Sequence, residues 1–103
     1  MLEQLHRQDF EAYLHCDFFV TAEDKSRTEI ELIEITDIST SAFETFSLLF
    51  RHINGSVFSQ DTHIFEHPEV GKHLLFIGPI ITGRKDGIYY QAIFNNIKKR
   101  EEG

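Results

Sequence analysis

The sequence predicts a mainly β chain, either a small six-stranded antiparallel barrel or a strongly twisted meander sheet, with one short helix near the N-terminus. Three observations carry this. Segments rich in Phe, Ile, Val, Tyr and Thr alternate with polar residues at a period of two. Short polar or glycine-bearing turns separate them. The stretch from His63 to Ile81 reads as a tight hairpin, because Pro68 cannot donate to a ladder and Gly71 can take the positive φ of a sharp reversal.

Taken in order, residues Asp9 to Cys16 place Phe10, Tyr13 and Leu14 at helical spacing, which predicts a short amphipathic helix across the end of the sheet. Asp17 to Ala22 is the first strand, followed by the polar reversal Glu23-Asp24-Lys25-Ser26. Thr28 to Ile38 is the second. Its period of two breaks at Leu32-Ile33, where a β-bulge or bend is expected. Phe43 to Ile53 is the third, with Phe46, Leu48 and Phe50 on the inner face. Asn54-Gly55 signals a reversal, and Val57 to Asp61 extends it into a longer loop.

The central hairpin follows. If its four-residue turn closes symmetrically, His67 faces Lys72, Phe65 faces Leu74 and His63 faces Phe76, so that one face carries the large apolar groups. A bend is expected near Gly78, and Gly83 to Gly87 forms the last turn. Ile88 to Asn95 is the sixth strand, with Ile88, Tyr90, Ala92 and Phe94 opposing Tyr89, Gln91, Ile93 and Asn95. Residues 97–103 read as a frayed, solvated tail on a single domain spanning 1–103.

A chain of 103 residues buries roughly two-thirds of its unfolded surface, enough for a core without metal or disulfide staples. Ten Phe and three Tyr make that core aromatic, and the single Cys16 has no internal partner. The net charge of −7 is uneven. Residues 1–44 hold eleven acidic and three basic side chains, against six and seven in 45–103. Glu23, Asp24, Glu29, Glu31, Glu34 and Asp37 crowd one region, which disfavours nucleic acid as a partner. It reads first as a solvated face and second as a dock for a basic partner. The absence of an apolar leader and of any run approaching the roughly 20 residues that span a bilayer points to a soluble, cytoplasmic protein.

Several segments together resemble a family. They are the helix bearing Leu5, Asp9 and Phe10, the strand Phe46 to Arg51, the turn His67-Pro68-Glu69-Val70-Gly71 with Leu75 to Ile80 after it, and the closing run Gly87 to Asn95. In order and spacing they resemble the DUF6916-like group of short bacterial proteins of unknown function. The resemblance covers almost the whole chain and implies a compact β-rich domain from a bacterium. It implies no activity, cofactor or catalytic residue. Cys16 and the histidine-rich loops depart from the family's pattern.

Histidine is the one chemically suggestive residue type. His63 and His67 share a strand face but lie about 13 Å apart at Cα, too far to share a zinc ion without a ligand such as His52 from a neighbouring strand. No nucleophile elbow, phosphate-binding loop or dinucleotide fingerprint is present, and no cofactor is implied. The favoured expectation is a non-catalytic protein-binding or assembly module. Its contact face would be a patch of Leu49, Tyr89, Gln91 and Ile93, which if exposed favours a protein partner or self-association; the other reading is that the N-terminal helix covers this surface. The alternative is a small-molecule-binding or enzymatic barrel with His52, His63 and His67 near its mouth.

Overall fold

The computed structural model describes residues 5–97. Six strands follow one short helix: α1 (Gln8–Glu11), β1 (Asp17–Thr21), β2 (Arg27–Asp37), β3 (Phe43–Gly55), β4 (Asp61–His67), β5 (Gly71–Ile80) and β6 (Tyr89–Ile97). They close into a barrel in the order β1-β2-β3-β6-β5-β4, and every neighbouring pair is antiparallel. Two three-stranded meanders therefore join edge to edge, through β3 with β6 and β1 with β4. The expected barrel is present, though not as one continuous meander. Sequence position 97 ends β6, and residues 98–103 of the expected tail lie outside the described residues.

The alternating pattern decides which side chains enter. Phe46, Leu48 and Phe50 of β3 are fully buried, as are Phe18, Ile30, Leu32, Phe65, Ile77 and Tyr90 from the other strands. Phe18 stacks on Phe65 with centroids 5.0 Å apart, and Phe50 meets both edge-on at 5.7 and 5.6 Å. These rings fill the middle of the barrel. The bulge expected at Leu32-Ile33 is present, since Leu32 pairs with Phe50 and Glu34 with Leu49, leaving Ile33 extra. A second irregularity, between Glu29 and Ile30, bends the same pair of strands.

Each end of the barrel has its own plug. At one end Phe10, fully buried, contacts Phe18, Phe46, Phe65 and Phe94 at 5.5 to 6.4 Å. The helix carrying it is a single turn rather than the predicted Asp9 to Cys16. His15 takes a positive φ of 71°, its amide donates to Leu32 O at 2.6 Å, and Leu32 N donates to Cys16 O at 3.1 Å. The β2 backbone thus captures this stretch before a second helical turn can form. The plug is clasped to the strands by polar contacts. Asn96 Nδ2 donates to Leu5 O at 2.8 Å, His6 Nδ1 lies 2.6 Å from Glu44, and Arg7 reaches Asp37 at 2.8 Å. Partial burial raises the Glu44 carboxyl, but hydrogen bonds from His6, Asn96 and the Arg7 amide outweigh it and hold the group below its ordinary value.

At the other end the 56–60 segment crosses from β3 to β4 and drops Phe58 inside. Phe58 stacks on Tyr90 at 4.1 Å and meets His63 edge-on at 5.0 Å. Thr28 Oγ1 donates to Ser56 O, and Gln60 lies so closely over Gly78 that a Cβ there would sit 2.7 Å from Gln60 Cα. The chain can follow this path only because position 78 has no side chain.

The hairpin departs from expectation by one residue. Its loop is Pro68 to Val70, and Gly71, at φ 98°, pairs with His67 inside the ladder. Phe65 therefore faces His73, and His63 faces Leu75. A slip of one reverses every side chain on β5, so Leu75 and Ile77 are the buried residues while Leu74 and Phe76 point outward. His67 Nδ1 accepts from Glu69 N at 3.0 Å and His73 Nε2 donates to Val70 O at 2.9 Å, so two imidazoles close the turn.

Phe10 touches four rings from four strands, and its removal should be expensive. Replacing it with alanine is expected to lower unfolding free energy by about 3–5 kcal/mol, measured by urea denaturation. A loss below about 1 kcal/mol would show that the end stays closed without it.

Candidate functional site

The three histidines singled out by sequence do not meet. His67 is half-buried at the α1 end, its ring 4.6 Å from Tyr13 and 4.8 Å from Phe18. His63 and His52 lie at the Phe58 end, where His52 Nε2 is 3.1 Å from Gly55 O and its ring 6.3 Å from Tyr90. Each imidazole is occupied with local structure, and among the described residues no three His, Cys, Asp or Glu side chains come together as a metal ion would require. The rings that might have lined a ligand chamber instead touch one another across the middle of the barrel.

The predicted contact patch is only partly formed. Leu49 pairs with Gln91, and Tyr89 and Ile93 lie on the same outer face, beside Arg51 and Ser47. Tyr89, however, is only 3 % exposed. The 81–88 loop folds over it: Arg84 sits 5.1 Å above the ring, and Tyr89 Oη donates to Asp86 at 2.6 Å. That hydrogen bond holds the Asp86 carboxyl below its usual range. Leu49 and Gln91 are half-buried, which leaves Ile93, 59 % exposed, as the open member of the set.

A different apolar face emerges next to Ile93. β5 pairs with β4 from Gly71 to Ile77, but with β6 only from Ile77 to Ile80. Beyond the Ile77–Ala92 pair the two strands part. Phe76 and Ile93 are the first residues past that point, 57 % and 59 % exposed, and Leu74 is 73 % exposed. Residues 72–76 of β5 and 93–97 of β6 thus present strand edges without a ladder partner on that side among the described residues, flanked by large apolar side chains. The sequence holds four consecutive apolar residues, Leu74 to Ile77, so either register buried two and exposed two. Only the αL glycine at the end of a three-residue loop distinguished them.

Two regions border this edge. On the α1 side, a cleft of about 390 Å³ lies among Leu5, Gln8, Asp9, Ala12, Tyr13, Glu69 and Val70. Tyr13 Oη donates to Glu69 at 3.2 Å there, and desolvation together with that carboxylate keeps the phenol above its ordinary value. On the Phe58 side, a shallow trough runs from the β1–β2 turn to Leu74. The acidic residues that crowd the sequence disperse in the fold. Glu31 faces Arg51 and His15 at 3.5 Å, Asp37 binds Arg7, and Glu29 lies against Asp17, whose hydrogen bond raises the Glu29 carboxyl. Glu23 and Asp24 remain at the trough.

Among comparisons with known proteins, the family described as Domain of unknown function (DUF6916) matches residues 5–94. No curated protein and no solved structure matches the chain. Among the described residues, no helix is long and apolar enough to cross a membrane.

Tyr90 Oη and His63 Nδ1 are buried without a hydrogen-bond partner among the described residues. Burial pushes the Tyr90 hydroxyl above its ordinary value, and the nearby backbone of Phe58 offsets this only in part, at a geometry too poor for a full hydrogen bond. An orphaned buried hydroxyl costs more than it contributes, so Tyr90→Phe should raise stability, by about 1 kcal/mol, in thermal or urea unfolding. A loss of similar size would mean that the hydroxyl is bonded in solution.

Proposed function

Because this chain belongs to the DUF6916 family, whose description names no activity, we propose from its surface that it is a non-catalytic protein-binding or assembly module of a bacterial cytoplasm. It would hold an extended segment of a partner against the open β5 edge. One observation carries the reading: the ladder between β5 and β6 stops at Ile77, and Leu74, Phe76 and Ile93 stand exposed around the opening. An unpaired edge is a template for another strand. Main-chain hydrogen bonds would supply affinity, and side chains alternating toward Leu74 and Phe76 would supply selectivity. Exposed apolar residues concentrated at a free edge suit contact with another chain better than contact with solvent.

The reading also accounts for the filled interior. With Phe18, Phe50 and Phe65 in mutual contact and both ends plugged, recognition falls to the outer face.

Site-specific photo-crosslinking in cells tests this. A crosslinking residue placed at Phe76 should give discrete protein adducts, one placed at the exposed Glu34 on the opposite wall should not, and Leu74→Lys should abolish those formed at position 76. No adduct at position 76, or the same adducts from position 34, would overturn the proposal.

A further inference from the structure

We propose that the occupant of the β5 edge is a second copy of this chain, held by an antiparallel pairing of the two β5 strands with its two-fold axis at Leu74. The inference rests on the reading of that edge as a partner's seat and names the partner. On one side β5 is paired with β4 from Gly71 to Ile77, and on the other β6 takes over only at Ile77. The stretch without a β6 partner among the described residues is therefore 72–76. Two identical strands that pair antiparallel are related by a two-fold axis. The one register that uses the whole open stretch sets Leu74 against the partner's Leu74, Lys72 against the partner's Phe76 and His73 against the partner's Leu75.

The side chains suit that register. Lys72, Leu74 and Phe76 stand on the outer face, in line with Glu66, Ile64 and Thr62 of β4. Joining two copies makes one aliphatic row across the seam, Ile64 and Leu74 from each, bounded at either end by a lysine beside a phenyl ring. An ammonium over an aromatic face is attractive, and the lysine stem covers apolar surface. Lys72 is exposed and has no ion-pair partner among the described residues, so nothing holds it from that place. It is the one formal charge within 72–76, and the pairing keeps the two lysines about 13 Å apart along the strands. Despite the net charge of −7, no carboxylate enters the seam. The open stretch of β6 offers no comparable seat, because the N-terminal segment lies against it. Asn96 donates there to Leu5 O and Glu44, and Phe94 packs on Phe10.

The area is enough for a weak dimer. Continued past the point where the ladder stops, the Ile77–Ala92 register would set Phe76 opposite Ile93 and Lys72 opposite Ile97. Ile93 and Ile97 therefore border the opening that the partner's strand enters. Leu74, Phe76, Ile93 and Ile97 are 57 to 73 % exposed and together present roughly 450 Å² of apolar surface. Two copies bring twice that, and the paired strand edges carry the total to about the 1,000 Å² at which specific interfaces begin. An interface at that lower limit is expected to dissociate with a constant of about 0.1 mM. Well below that concentration the edge stands free.

Sedimentation equilibrium of the full chain, taken up to about 1 mM, should show a reversible dimer. Leu74→Lys sets two like charges against each other at the axis and should weaken association more than about tenfold, while the exposure of Leu74 leaves the fold intact. Disulfide trapping with diamide in a Cys16→Ala background reads the register. Leu74→Cys should link to its own copy, since facing residues lie within disulfide reach. Lys72→Cys and Phe76→Cys should each link poorly alone and readily when mixed. A chain that stays monomeric to about 1 mM, a dimer untouched by Leu74→Lys, or trapping at 72 alone as fast as at 74 would overturn the proposal. Crosslinking at Phe76 in cells is read separately. Adducts there with a different protein, from a chain monomeric in isolation, would remove the second copy and leave the edge as a partner's seat.

Discussion

One contact sets the terms for the rest of the molecule: the ring of Phe10 seated in the mouth of the barrel, against Phe18, Phe46, Phe65 and Phe94. A barrel of six short strands has two ends, and rings in the middle cannot shield themselves from water entering there. Phe10 closes one end from outside the sheet and Phe58 closes the other. Aromatic pairs at these distances contribute about 0.5–1.5 kcal/mol each beyond area burial. A plug making four such contacts therefore ties the N-terminal segment to strands from both meanders.

That plug also explains where the sheet opens. The segment carrying Phe10 enters near β6, with Leu5 bonded to Asn96 and Phe10 packed on Phe94. It covers the core where β5 has separated from β6, so continuous pairing is not needed there to keep water out. The cost falls on the outer surface, where residues 72–76 and 93–97 lack a strand partner on one side among the described residues. Closure of the interior by side chains and incomplete closure of the ladder thus belong to one design. It leaves an edge flanked by apolar residues.

Much of this was legible in the sequence. Strand number, the inner face of β3, the Leu32-Ile33 bulge and the turn at Gly83 to Gly87 follow from alternation and turn chemistry, which are local. The register of β5 does not, because Leu74 to Ile77 is apolar throughout and both faces look suitable for burial. Tyr89 is buried for a long-range reason that alternation does not carry: Arg84 and Asp86 fold back over its ring. The α1 segment shortened because β2 competes for its backbone. Phe58 was hidden in a loop, where nothing local marks a plug. The exposed apolar residues consequently lie one strand over from the patch expected at Leu49, Tyr89, Gln91 and Ile93, with Ile93 common to both.

The parting of β5 from β6 can be measured directly by native-state hydrogen exchange resolved to single amides. Alternate amides within residues 72–76 and 93–97, those that turn toward the gap, should exchange much faster than the paired amides of 63–66 and 90–92. Slow exchange at every position of both strands would mean that the ladder is closed in solution, and the face described here would not exist.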